Sequence, residues 1–239
     1  MSLSRQRTKA IVGKDLREFR RNRSLVASMT IVPALFCVQP AVNVFAIGSS
    51  ASAGLSQEHV LVFMLGIPAL TPAFVAAYSV VGERVQGTLE PILTTPIRRS
   101  ELLLGKAFAA LLPSVLVAYA VFGVFLLLIT AFAQPGVAAA IVRPTDIIVQ
   151  LVFTPLIAGW TIWIATAIST RANDVRVAQQ LSALASLPSI TVTTLIAFNI
   201  IEASLATAVI AGAALFVLNG IGWLVTSALV DRERLVAAS

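Results

Sequence analysis

The sequence predicts an all-α membrane protein with six transmembrane helices. Hydrophobic residues make up 58% of the 239 residues and charged residues only 12%, whereas a soluble domain is about half apolar and about a quarter charged. The mean hydropathy is +0.92. The apolar residues are gathered in uncharged runs long enough to cross a bilayer. Nearly all the Lys and Arg residues lie on one side of these runs, as the distribution of charge in membrane proteins requires.

The spans follow from the length of the uncharged runs. A mostly apolar run of about 18 residues or more is typical of a transmembrane helix. The last run, from residue 181 to residue 230, has the length of two spans and contains one charge, Glu202. We therefore expect it to turn near residues 199–204. The predicted single domain fills residues 1–239, with spans at about 25–47, 60–81, 107–133, 147–169, 181–200 and 205–230.

The positions of Lys and Arg predict the orientation. Eight of them precede the first span, four lie in residues 82–106, two follow the fourth span and two lie in the C-terminal tail. The loops on the other side of the membrane contain a single basic residue, Arg143. Because cytoplasmic loops carry the excess of basic residues, both termini and residues 82–106 are expected in the cytoplasm. The net charge of +6 then reflects topology, and no nucleic-acid partner is expected.

The N-terminal segment, residues 1–24, has two different faces. Ile11, Val12, Leu16 and Phe19 recur at helical spacing, and Lys and Arg fill most of the other face. This pattern predicts an amphipathic helix in the membrane surface, with its apolar side toward lipid and its basic side toward anionic headgroups. A disordered basic tail is the alternative.

Several functional classes lack the residues that they need. No charged residue or histidine lies near the centre of an expected span, which disfavours a proton-coupled carrier. Cys37 and His59 are the only residues of their types, so neither a disulfide nor a metal site is expected. No Walker phosphate loop and no H-E-x-x-H motif occurs. The sequence therefore predicts no catalytic, cofactor-binding or metal-binding residue, and a lipid-modifying enzyme is disfavoured.

A polar segment, GERVQGTLEPILTTPIRRSELLLGK, separates the second and third expected spans at residues 82–106. Its charges are nearly balanced, and apolar residues lie between them. A topology anchor needs only positive charge, so the mixture favours a helix that contacts a protein partner. The charged residues are Glu83, Glu90 and Glu101 together with Arg84, Arg98, Arg99 and Lys106.

The order of motifs in this segment resembles the ABC-2-type transporter permease family. The segment KDLREFRRNRSL before the first span resembles that family as well, and the resemblance in topology covers the whole chain. Pro91 departs from the family pattern, in which a helix-forming residue follows Glu90. The matching motifs are Gly82-Glu83-Arg84, Gly87-Thr88-Leu89-Glu90, Thr95-Pro96 and Gly105-Lys106.

The resemblance implies the permease subunit of an ATP-driven exporter in the plasma membrane. A separate ABC ATP-binding subunit would bind ATP and Mg²⁺, and a second permease chain would complete a homodimer or a heterodimer. Residues 82–106 would contain a cytoplasmic coupling helix that either runs through Pro91 or begins there. The implied contacts with the ATP-binding subunit are Glu83, Arg84, Gly87, Thr88, Leu89, Glu90, Thr95, Pro96, Arg98 and Arg99.

The polar residues of the spans are densest near the end of the fifth. Ser186, Ser189, Thr193 and Asn199 either support helix packing or line a pathway. Because the spans carry no fixed charge, they suit a hydrophobic or amphipathic substrate, such as a drug, a lipid-like molecule or a peptide. The alternative function is a membrane-anchored assembly or immunity protein that binds a partner without transport.

Overall fold

The computed structural model describes residues 5–46, 58–85 and 99–237, and every regular element in those ranges is helical. A π-helical turn, Val42–Ala46, extends the second helix, and a 3-10 helix, Val60–Leu65, leads into the third. The α-helices are α1 (Arg5–Arg21), α2 (Arg23–Ala41), α3 (Gly66–Val85), α4 (Arg99–Phe132), α5 (Pro135–Ile141), α6 (Pro144–Arg171), α7 (Val175–Ala197) and α8 (Leu205–Ala237).

Six helices in the described residues are long and apolar enough to cross a membrane, which confirms the predicted fold class. The short helix α5 lies in the connection between α4 and α6. We call the end of the bundle that holds α5 and the turn after α7 the α5 end, and the opposite end the α1 end. The candidate spans are Arg23–Phe45, Val60–Glu83, Ser100–Phe132, Pro144–Arg171, Val175–Ala197 and Leu205–Leu229.

Two helices begin earlier than the uncharged runs suggested. Helix α4 starts at Arg99 rather than at residue 107, because the charged side chain of Lys106 is buried against protein and paired. Helix α7 starts at Val175 rather than at residue 181. Its first turn is capped by Asp174, whose carboxylate accepts hydrogen bonds from two backbone N–H groups. Charge alone therefore did not mark the ends of these helices.

Helix α3 lies at the centre of the bundle and packs against α2, α4, α6 and α7. Its small residues Ala69 and Ala77 are fully buried, which allows the neighbouring backbones to approach closely. Two hydroxyls of α6 donate to carbonyls of α3. Thr161 Oγ1 lies 3.1 Å from Ala69 O, and Ser169 Oγ lies 2.6 Å from Ala77 O. These bonds fix α6 along α3 at the α1 end.

Helix α8 packs against α6 through a glycine and two tryptophans. A Cβ atom at Gly222 would lie 2.7 Å from Trp163 Cβ, so only glycine allows this approach. Trp163 and Trp223 meet edge to face, with ring centroids 5.4 Å apart. Asn219 Nδ2 donates to Leu156 O of α6 at 2.9 Å. Thr226 Oγ1 donates to Trp163 O at 3.2 Å, so the contact is made of ring packing and two side-chain hydrogen bonds.

A proline in α6 is compensated by a tyrosine of α4. Pro155 has no N–H, so the carbonyl of Leu151 loses its partner within the helix. Tyr119 Oη donates to that carbonyl oxygen at 2.7 Å. An unpaired carbonyl is costly in lipid, and the tyrosine hydroxyl removes this cost.

We expect Tyr119→Phe to lower the free energy of unfolding by about 0.5–2 kcal/mol, because it leaves the Leu151 carbonyl unpaired. Thermal unfolding in detergent measures this effect. Pro155→Ala restores a backbone donor to Leu151, so the loss should shrink when Tyr119→Phe is made in that background. An equal loss in both backgrounds would contradict the assignment.

Candidate functional site

Helices α3 and α4 contain the two ends of the polar segment, residues 82–106. Helix α3 ends at Val85 and helix α4 begins at Arg99, so residues 86–98 lie outside the described residues. Arg84 lies in the last turn of α3. The contacts predicted from the sequence at Gly87, Thr88, Leu89, Glu90, Thr95, Pro96 and Arg98 lie outside the described residues, as does Pro91, and they stay predictions.

Glu83 points into the chain. Its side chain is almost fully buried. One carboxylate oxygen lies 2.6 Å from Lys106 Nζ, and the other accepts a hydrogen bond from Lys14 Nζ at 2.7 Å. The sequence predicted that Glu83 contacts a partner subunit, whereas the structure places its carboxylate between two lysines of the same chain. The contact of Glu83 with a partner subunit stays a prediction.

Lys106 joins three helices. Besides its bridge to Glu83, its ammonium donates to Ser79 O of α3 at 2.6 Å. It also lies 3.9 Å from Asp15 Oδ2 of α1. Asp15, Glu83 and Lys106 are all less than 5% exposed. Burial of charge is tolerated only when the charges are paired and hydrogen-bonded, so these contacts hold α1, α3 and α4 in one arrangement. We call Lys14, Asp15, Glu83 and Lys106 the charge cluster.

Helix α1 is docked on protein. Ile11 and Phe19 are buried, although the sequence predicted that they face lipid. Ile11 fits over Gly105 of α4, where an added Cβ would lie 2.7 Å from Ile11 Cγ2. Phe19 meets the ring of Tyr78 edge to face at 6.4 Å. Asp15 shares this face of α1, and docking places its carboxylate 3.9 Å from Lys106.

The charge cluster perturbs the acid–base behaviour of α1. Burial raises the pKa of Asp15 from 3.8 to about 6; Lys106 and Lys14 oppose this shift, while Glu83 adds to it. Burial lowers the pKa of Lys14, but the hydrogen bond and the charge of Glu83, with the nearby carboxylates of Asp15 and Glu18, give a net increase. Asp15 therefore titrates near pH 6 in the folded protein.

The cluster fixes both ends of the polar segment. Glu83 lies two residues before the end of α3, and Lys106 lies in the second turn of α4. Their bridge brings together the helices on either side of residues 86–98, and Lys14 and Asp15 attach α1 to both. The motif residues Gly82, Glu83, Gly105 and Lys106 thus meet in space. Asp15 was missed, although a carboxylate at helical spacing between Ile11 and Phe19 is a visible signal.

The residues predicted to line a pathway differ in burial, and their role stays a prediction. Ser186 and Thr193 are buried, but each hydroxyl donates to a carbonyl of its own helix, at 2.7 Å and 3.0 Å respectively. Ser189 is half-buried. Asn199 lies beyond the end of α7, exposed in the turn before α8, with a φ of 55°. Its backbone N–H donates to Ile196 O of α7 at 2.9 Å.

No group of three or more His, Cys, Asp or Glu side chains in the described ranges could hold a metal ion. A further contact between polar side chains lies at the α5 end, where His59 Nδ1 is 2.7 Å from Asp146 Oδ1. His59 also donates its backbone N–H to Ala197 O. His59 thus connects the segment before α3 to the start of α6 through its side chain and to the end of α7 through its backbone.

We expect Glu83→Gln to destabilise the protein by up to about 3–5 kcal/mol, because it leaves the buried charge of Lys106 with only the more distant carboxylate of Asp15, 3.9 Å away. Thermal unfolding in detergent at pH 7.5 measures the loss. Lys14→Ala is the matched control, since the Lys14 side chain is 46% exposed and its removal should cost only about 1 kcal/mol or less. Similar losses for the two variants would argue against a buried pair that holds the helices.

Asp15 makes the stability depend on pH. Because its folded pKa is higher than its unfolded value, the native protein binds more protons between about pH 4 and pH 6, and stability falls as the pH rises through that window. Asp15→Asn carries no such cost. We expect this variant to be more stable than the wild type at pH 7.5, by on the order of 2 kcal/mol, and the difference to vanish near pH 4. A difference independent of pH would contradict the assignment.

The family of the chain follows from comparison with known proteins. The ABC-2 family of transporter proteins matches the chain over residues 9–218. No curated protein matches it. The matched range includes most of α1, the charge cluster, residues 86–98 and the first five candidate spans. The chain, an integral membrane protein with six candidate transmembrane helices, therefore belongs to the ABC-2 family of transporter proteins.

Proposed function

We propose that the chain exports a hydrophobic or amphipathic substrate from the cell, driven by ATP hydrolysis in a separate subunit. Membership of the ABC-2 family makes it the membrane-spanning permease subunit of an ABC transporter. The direction of transport, the substrate and the partner are the proposed parts.

The observation that carries this proposal is the charge cluster. A force applied to residues 86–98 by an ATP-binding subunit would reach α3 and α4 together, because Glu83 and Lys106 bridge them. Helix α1 would move with them through Lys14. Since α3 packs against four other spans, its displacement would shift the whole bundle between two packed arrangements. Residues 86–98 would then act as the coupling segment.

We place the contacts with the ATP-binding subunit on residues of the polar segment that do not belong to the charge cluster. We assign them to Arg84, Arg98 and Arg99 and to the stretch from Gly87 to Glu90, with Thr95 and Pro96 between. ATP and Mg²⁺ would bind to the partner subunit, whose binding of nucleotide would bias the equilibrium between inward-open and outward-open states.

The orientation proposed from the basic residues puts the α1 end in the cytoplasm. The basic residues of the helices in the described ranges lie mainly at that end, and Arg143 lies at the α5 end. Two permease chains, as a homodimer or a heterodimer in the plasma membrane, would enclose the substrate. The charges of Glu83, Lys106 and Asp146 lie near span ends, so the middle of the described spans suits an apolar or amphipathic substrate.

We expect the chain to copurify with an ABC ATP-binding subunit and to change its rate of ATP hydrolysis in lipid nanodiscs. Glu90→Arg should lower this association at least tenfold, because it reverses a contact charge without altering a span. Glu202→Arg is the matched control, since Glu202 is exposed in the turn at the α5 end.

Equal association of the two variants would remove Glu90 from the contacts. Failure of any ATP-binding subunit to associate with the wild-type chain would favour the assembly or immunity function instead.

A further inference from the structure

Helix α6 carries a row of polar side chains along one face. Starting at the α5 end, Asp146, Gln150 and Thr154 follow at intervals of four residues, and Thr161 and Ser169 continue the row toward the α1 end. All five are buried, with at most 2% of each exposed. Polar groups buried in a membrane protein are costly unless they have partners, so each of them needs one.

The half of the row at the α1 end has protein partners. Thr161 donates to Ala69 O, and Ser169 donates to Ala77 O. Ser169 Oγ also accepts the backbone N–H of Val81 at 3.1 Å. Each hydroxyl lies 92 residues along the chain from its acceptor, so α6 and α3 run parallel in constant register.

The half of the row at the α5 end has fewer hydrogen-bond partners. In the described part of the chain, no donor or acceptor reaches Asp146 Oδ2, Gln150 Oε1, Gln150 Nε2 or Thr154 Oγ1. Only the other oxygen of Asp146 is paired, with His59 Nδ1 at 2.7 Å. Four buried polar atoms in one row are too many to regard as scattered exceptions, since nearly all such atoms in proteins are hydrogen-bonded.

The cause lies in the opposing element. Continuing the register of Thr161 with Ala69 toward the α5 end brings the 3-10 helix Val60–Leu65 opposite this half of α6. Its side chains, VLVFML, are all without a hydrogen-bonding group. Val62 and Leu65 pack in one apolar cluster with Ile157 of α6. The protein therefore offers the row apolar neighbours where it needs donors and acceptors.

The unpaired donors and acceptors of the row determine which species can bind to all of them. Asp146 Oδ2 requires a donor or a cation, whereas Gln150 Nε2 requires an acceptor. A cation could bind only the oxygen atoms of the row and would leave Gln150 Nε2 without an acceptor. The eight residue steps from Asp146 to Thr154 span about 12 Å along the helix, farther than a single ion can bridge. Water both donates and accepts, and buried water usually makes about three hydrogen bonds to such groups.

We propose that a file of internal water molecules lies along Asp146, Gln150 and Thr154, and that it begins at the His59–Asp146 pair and ends near half the depth of the membrane. The side chain of His59 is 14% exposed, so the pair forms the entrance. Beyond the His59–Asp146 pair, the contact of α6 with the segment before α3 is thus wet, whereas its contact with α3 toward the α1 end is directly bonded.

A wet contact has a mechanical consequence. Separation at the α5 end exchanges ordered water for bulk water and breaks one direct bond of this row, that of Asp146 with His59. Separation at the α1 end breaks the three bonds of Thr161 and Ser169. Helices α3 and α6 should therefore part more readily at the α5 end. This step does not depend on the identity of the substrate or of the ATP-binding partner.

Thermal unfolding of the full chain in nanodiscs tests the water file. If water satisfies the row, Thr154→Val and Gln150→Leu each remove hydrogen bonds and lower Tm by about 2–4 °C, as the control Thr161→Val does. If the row is dry, both changes remove unpaired polar atoms and raise Tm. A raised or unchanged Tm for both variants overturns the proposal.

Solid-state NMR of the wild-type chain in liposomes gives an independent result. Magnetisation transferred from water should reach the side chains of Gln150 and Thr154 sooner than that of Thr161, and equal rates would overturn the proposal. Replacing NaCl by KCl or choline chloride should leave Tm unchanged. A Tm that depends on one cation would show that the row holds an ion, which would also overturn the water file.

Discussion

The buried bridge between Glu83 and Lys106 is the interaction on which the arrangement of the α1 end depends. It joins the end of α3 to the start of α4, and those helices enclose residues 86–98. Two further charges, Lys14 and Asp15, complete the cluster and bring α1 against both helices. Glu83 contacts both lysines and Lys106 contacts both carboxylates, so these two buried side chains join all members of the cluster. The cluster therefore behaves as one mechanical unit.

Lipid as the solvent explains the remaining contacts. In a bilayer, apolar side chains gain little by leaving lipid for protein, so helices associate through close packing and polar bonds. Helix α3 presents alanines to α6, and hydroxyls of α6 bond to its carbonyls. The carbonyl freed by Pro155 is satisfied by Tyr119. These side-chain-to-backbone bonds replace the hydrophobic core of a soluble domain.

The elements that the sequence predicted well are those that depend on local properties. The six candidate spans were predicted because an apolar run must avoid water wherever the chain folds. The starts of α4 and α7 were predicted less well. Lys106 can lie within the span of α4 because Glu83, which is distant in sequence, compensates its charge. The candidate site was likewise predicted only in part. The motifs marked Glu83 and Lys106 as unusual but could not show that they bind each other.

The sequence by itself determined the membrane environment, the number of candidate spans and the amphipathic pattern of α1, because hydropathy and helical spacing depend only on the order of residues. Only the tertiary structure decided that α1 docks on α3 and α4 and that Glu83 faces inward. It also decided that one half of the polar row of α6 finds acceptors while the other half meets an apolar 3-10 helix. These outcomes depend on which side chains meet across the bundle, and helices far apart in the chain determine that through their packing.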